Sequence, residues 1–194
     1  MINYFVVDIE TCPIDLPRYL AIENEEERRK LLNPIDSKII AIGVRYSSEN
    51  KIFLSENEKE ILEKFWEEWK KIKSTNSSAQ ACGFDILRFD IPFIISRSLI
   101  NNVIISPFFM QQIVDIKEKI NAYRYGKTRG KLKEYASLLG LRTLGFDGSQ
   151  IPSLCQEKNW NKLKEYLAND LEITDELYKR IKNLKILEIR KWNN

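Results

Sequence analysis

"YFVVDIET", residues 4–11, decides how the rest of the chain is read. Val6, Val7 and Ile9 have the β-branched, apolar character of a buried strand, yet Asp8 and Glu10 stand among them. Side chains on a strand alternate between faces, so the two acids share one face, about 7 Å apart along the strand. Carboxylates are poor strand formers and costly to bury without a partner. A strand that keeps two of them needs something to neutralise them.

The bulk properties narrow the classes. The chain has 194 residues, 43% hydrophobic and 30% charged, which suits one globular domain spanning residues 1–194 with a substantial core. No apolar run is long enough to cross a membrane, and the N-terminus lacks the basic-then-apolar pattern of a secretory signal. The expectation is a cytoplasmic protein without a membrane partner. Histidine is absent, which excludes a His general base, His-based triads and most zinc sites. Cys12, Cys82 and Cys155 are odd in number, far apart and form no CxxC pair, so they read as small buried apolar residues.

The net charge of +3 is unevenly placed. Residues 117–133, "KEKINAYRYGKTRGKLK", carry seven basic side chains against Glu118 alone. Such a cluster fits a polyanionic partner. Tyr123 and Tyr125 can stack on unpaired bases, while Lys127, Arg129 and Lys131 meet phosphates. A solvated polar loop leading into an ordinary helix is the plain alternative. The final basic run, 179–194, reads as a solvated amphipathic helix, and a docking surface there for an unidentified protein partner stays open.

Periodicity predicts the frame. Strands are expected at 3–9, 38–46, 51–54 and 79–84, with a fifth strand or extended stretch within 107–115. Residues 15–33 read as a loop followed by one short charged helix. Helices are expected at 57–73, 91–101, 131–140 and from about Asn161 almost to Trp192, with 144–153 a loop. This order suggests a mixed sheet flanked by helices.

Three stretches place an acid beside a face that should be apolar. The first is Asp8 with Glu10. The second is "GFDILRFDIPF", 83–93, where Asp90 stands at a helix start and could be an ordinary N-cap. The third is "LKEYLANDLEITDELYKRI", 163–181. Leu163, Leu167, Thr174, Leu177 and Ile181 trace its core face, and Tyr166 and Asp170 lie on that face, four apart. If these acids converge, each close pair repels by about 4 kcal/mol at an effective dielectric near 20. A divalent cation removes the conflict. An all-oxygen carboxylate set without His or Cys suits Mg²⁺ or Mn²⁺.

"VVDIET", "GFDILRFDIPF" and "YLANDLEIT" resemble, in order, the three motifs of the DEDD superfamily of 3′–5′ exonucleases. The tyrosine four residues before the last aspartate resembles the DEDDy branch, and the likeness is greatest to the proofreading exonuclease domain of family B DNA polymerases. The resemblance implies an α/β RNase H-like fold with a five-stranded mixed sheet flanked by helices. It implies that Asp8, Glu10, Asp90 and Asp170 bind two Mg²⁺ or Mn²⁺ ions, Asp8 bridging and Asp90 acting through water, with Tyr166 orienting the attacking water. It further implies hydrolysis from the 3′ end of single-stranded DNA. A 3′–5′ exoribonuclease, or a non-catalytic nucleic-acid-binding module, are the alternatives. Thr11, Asp85 and Phe89 are expected beside the substrate's 3′ end. The family usually has asparagine where this chain has Asp85, and a carboxylate there would repel phosphate or join the metal site.

Overall fold

The computed structural model describes residues 2–124, 130–145 and 148–190. Strands β1 (Tyr4–Pro13), β2 (Ser37–Tyr46), β3 (Glu49–Leu54), β4 (Gln80–Gly83) and β5 (Ile113–Asp115) form a five-stranded sheet in the order β3-β2-β1-β4-β5. β1 pairs antiparallel with β2 and parallel with β4, and β4 pairs parallel with β5. The sheet is therefore mixed, as in RNase H-like folds. The acid-bearing strand is its centre, where both faces must be covered.

β1 runs four residues beyond the expected end. Its pairing with β2 shifts at Glu10/Thr11, where Ala41 and Ile39 are consecutive partners and Ile40 has none. The extra residue lies in β2, so β1 keeps its two-residue alternation. Phe5, Val7 and Ile9 enter one apolar layer, and Val6 and Cys12 enter the other. Asp8 and Glu10 share the second face.

The first layer is closed by α3 (Glu58–Thr75) and α4 (Asp90–Ile100). In α3, Ile61, Leu62, Phe65, Trp66, Trp69 and Ile72 are buried at helical spacing. Asn57 caps it by accepting from Lys59 N at 3.1 Å. The Glu58 carboxylate ties this layer together. It accepts from Ile39 N at 2.6 Å, from Arg97 Nε at 2.8 Å and from Asn101 Nδ2 at 2.9 Å, while Arg97 Nη1 donates to Pro34 O at 3.0 Å. Every charge in this buried pair is thus hydrogen-bonded, the condition under which it can be tolerated.

The second layer is closed by α8 (Trp160–Asn183) together with α6 (Leu132–Leu138) and α7 (Ile151–Gln156). Leu163, Leu167, Thr174, Leu177 and Ile181 of α8 are all buried, as their spacing predicts. α8 comes so close to β2 that a Cβ on Gly43 would stand 2.6 Å from Leu171 Cδ1. Gly43 pairs with Asp8, so glycine there lets the last helix approach the acid-bearing strand.

Several boundaries differ from expectation. Residues 15–33 hold two short helices, α1 (Leu16–Ala21) and α2 (Glu25–Lys30), capped by Asp15 and Asn24. The expected loop 144–153 contains a 3₁₀ turn at Gly148–Gln150 and the start of α7, which opens with Pro152 in its first turn. α8 stops at Asn183, and Lys185 adopts φ 60°, which breaks the helix before a 3₁₀ turn at Ile186–Glu188. Among the described residues, no helix is long and apolar enough to cross a membrane.

Candidate metal centre and groove

Asp8 and Glu10 project from β1 and Asp170 from α8. One carboxylate oxygen of each lies within 4.8 Å of those of the other two. The residues that periodicity places on separate inward faces are therefore one cluster. Asp90 is the first residue of α4, after Phe89, and it is not an N-cap. Its Oδ1 accepts from Ile9 N at 3.1 Å, which fixes the start of α4 to β1 between the two strand acids.

Burial and mutual repulsion dominate the electrostatics. Burial, then Asp90, Glu10 and Asp170, push the Asp8 carboxyl well above the usual carboxylate range. Burial and Asp170 raise Glu10, against a lowering by Lys133. Burial raises Asp90 to about 7, partly offset by its backbone hydrogen bonds. Asp170 is raised by burial and pulled back by Lys133 and Tyr166. Among the described residues, Asp170 Oδ1 is buried and accepts no hydrogen bond, with the Lys133 ammonium 3.6 Å away. A crowded, proton-hungry set of hard oxygens with such an under-coordinated atom fits a divalent cation.

Tyr166, one turn before Asp170, is buried, and burial followed by Asp170 drives its phenol far above 10. Lys133 on α6 reaches the same place. Its Nζ is 3.6 Å from Asp170 Oδ1 and 3.6 Å from the centroid of the Tyr166 ring. Sequence reasoning did not single Lys133 out. It lay in the basic stretch 117–133, but nothing in that stretch distinguishes it from its neighbours. Asp115, at the end of β5, was missed as well. It accepts from Asp85 N at 3.3 Å, Leu87 N at 3.1 Å and Glu118 N at 3.1 Å, holding the turn that delivers Asp90.

The cluster opens into a groove of about 1640 Å³. Thr11, Phe89 and Lys131 line it with Glu10, Tyr166 and Asp170. Tyr19, Arg28 and Arg29 of α1–α2 form another part of its wall. Two expectations change. Asp85, at φ 67°, is not among the groove-lining residues; it pairs with Lys117 at 2.7 Å, so its charge is met there and it is not part of the three-acid cluster. Tyr123 is not among the groove-lining residues; its ring lies beneath Lys119 and its hydroxyl donates to Ile189 O at 3.5 Å. Tyr125, Lys127 and Arg129 lie outside the described residues.

Known proteins share this chain's sequence family and its fold. A family described as a predicted 3′–5′ exonuclease related to the exonuclease domain of PolB matches residues 37–187. An uncharacterised protein of Methanocaldococcus jannaschii is 33% identical over 171 residues, covering 81% of this chain and 93% of its own length. The family B DNA polymerase of Pyrobaculum calidifontis has the same fold over 97% of this chain, with a TM-score of 0.71 at 14% identity. This chain spans only 26% of that polymerase.

Proposed function

The chain belongs to the family of predicted 3′–5′ exonucleases related to the exonuclease domain of PolB, and from that premise we propose that residues 1–194 form one DEDDy-type exonuclease domain degrading single-stranded DNA from its 3′ end. One observation carries the reading. Asp8, Glu10 and Asp170, from the first strand and the last long helix, converge within 4.8 Å at a groove open to a polymer.

Asp8, Glu10, Asp90 and Asp170 would hold two Mg²⁺ or Mn²⁺ ions. When bound, such ions acidify a water and stabilise charge on the phosphate. The remaining roles fall to this chain's own residues. The Tyr166 phenol stays protonated at neutral pH, so it donates a hydrogen bond that orients water and does not act as the base. Lys133, beside Asp170 and over Tyr166, balances carboxylate charge and lines the groove, where it would meet a substrate phosphate. Phe89 offers a stacking face to the terminal base, and Lys131 at the groove a cation to the backbone. Thr11 completes the wall beside Glu10.

The test is to incubate 5′-labelled and 3′-labelled single-stranded DNA and RNA with the protein in Mg²⁺, Mn²⁺ or EDTA. Asp8→Ala serves as the control. A metal-dependent ladder that shortens DNA from its 3′ end, lost in Asp8→Ala, is the expected result. Digestion confined to RNA would replace the substrate, and binding without cleavage in either metal would end the proposal.

A further inference from the structure

The longest stretch of this chain without a charged side chain runs from Ser98 to Val114, 17 residues in a sequence that is 30% charged. It covers the end of α4, the loop that follows and the approach to β5, the edge strand of the sheet. Its inward side is firmly held. Val103 and Phe108 pack on the first apolar layer, the Phe108 ring centroid 6.3 Å from that of Trp66 and 5.1 Å from that of Trp69. Trp66 Nε1 donates to Ser98 Oγ at 2.9 Å, so both ends of the loop meet on one indole. Val103 N donates to Ser98 O at 2.9 Å, and Gln112 Nε2 to Ser77 O at 2.9 Å.

The outward side is apolar. Of the 11 large hydrophobic side chains exposed among the described residues, six fall between positions 99 and 110: Leu99, Ile100, Ile104, Ile105, Phe109 and Met110. Ile104 is 92% exposed and Leu99 82%. From these exposures, the six present on the order of 700 Å² to solvent, more than the largest apolar patch of an ordinary monomer and close to the 800 Å² or so that each partner gives a standard interface.

We infer that this face is the contact between two copies of the chain, related by a two-fold axis. In such an interface each residue meets the same surface of the partner, so a charged face would oppose like charges. This stretch has none to oppose, which makes it self-complementary where the rest of the surface is not. β5 is only three residues long, so side chains, not strand pairing across the sheet edge, carry the contact. Because the loop is already ordered on Trp66 and Trp69, little conformational entropy is lost on docking. None of the six side chains lines the groove. α4 starts at Asp90 and carries the face at its other end, about 15 Å along the helix axis, so pairing leaves the acids outside the contact.

The experiment is analytical ultracentrifugation of the unaltered protein in EDTA, from about 1 to 100 µM, where micromolar association is read directly. A species of twice the monomer mass is expected, growing with concentration and persisting in 1 M NaCl. Ile104→Glu and Phe109→Glu should each raise the dissociation constant by about 100-fold or more, because the symmetry brings two new carboxylates into the interface. Both side chains are exposed, so the unfolding midpoint of the dilute monomer should stay within about 2 °C of the original. Ile35→Glu, at an exposed isoleucine outside the face, should leave the dimer intact. A monomer at every concentration would give the face to a different partner and overturn the inference. A dimer that survives both glutamates, dissolves in salt, or grows into larger assemblies would overturn it as well. None of these readouts requires nuclease activity, so the result stands apart from the proposed function.

Discussion

Replacing Asp8 with asparagine should stabilise the metal-free protein. Asp8 has two carboxylate neighbours within 4.8 Å. Full charges at that distance repel by roughly 3.5 kcal/mol per pair at an effective dielectric near 20. Proton uptake limits the penalty, at about 1.4 kcal/mol per pH unit by which a pKa is raised. A net gain of about 1–3 kcal/mol at pH 8 is expected, a rise of roughly 3–10 °C in the midpoint for a chain of this size. The sign with pH follows from the raised pKa values. Asp8, Glu10, Asp90 and Asp170 hold their protons to higher pH when folded than when unfolded. Their contribution therefore favours the fold in acid and is lost as pH rises from about 4, the unfolded carboxyl value, towards about 7, the Asp90 value. The advantage of Asp8→Asn should accordingly shrink at pH 5. With Mg²⁺ the order should invert, because a ligand at one hundred times its dissociation constant adds about 2.7 kcal/mol to the protein that binds it. The assay is thermal unfolding of both proteins at pH 5 and 8, in EDTA and in Mg²⁺. An Asp8→Asn protein less stable than the original in EDTA at pH 8, or a gain independent of pH, would refute the electrostatic argument.

Three further outcomes are expected. Tyr166→Phe removes a hydrogen-bond donor and no ligand, so single-turnover cleavage should slow by roughly 10–1000-fold and remain measurable, while Asp170→Ala should show none; equal loss in both would move Tyr166 out of a positioning role. Gly43→Ala puts a Cβ against Leu171 and Leu167, forcing α8 away from β2, and should cost about 1–3 kcal/mol in denaturant unfolding and weaken metal binding measured by calorimetry; unchanged metal affinity would show that α8 does not need this approach. Arg97→Met leaves Glu58 buried without its main partner and should cost about 3–5 kcal/mol in the same unfolding experiment, with cleavage per folded molecule unchanged. A cost below about 1 kcal/mol would mean that water or Asn101 suffices for Glu58.

The helical stripe of α8 and the apolar strand β1 were legible because burial imposes a period of 3.6 or 2 on the residues themselves. The same periodicity exposed the out-of-place acids Asp8, Glu10 and Asp170, since a charge on a core face contradicts its surroundings locally. Asp90 was ambiguous for an equally local reason. An aspartate at a helix start looks the same whether it caps the helix or, as here, accepts from Ile9 N across the sheet. Lys133 and Asp115 carried no signal, because a lysine in a basic stretch and an aspartate after two apolar residues are unremarkable until their long-range partners are known. α7 escaped because six residues, the second a proline, are too short to show a period.

By itself, the sequence determined the alternating elements, the apolar faces and the three acids set on core-facing positions, because these depend on neighbours within a turn or a pleat. The tertiary structure alone decided that Asp85 spends its charge on Lys117 and that Lys133 stands over Tyr166. Those are pairings between side chains distant in the chain, set by β5 lying beside β4 in the sheet and by α6 packing on α8, and no local pattern encodes either neighbourhood.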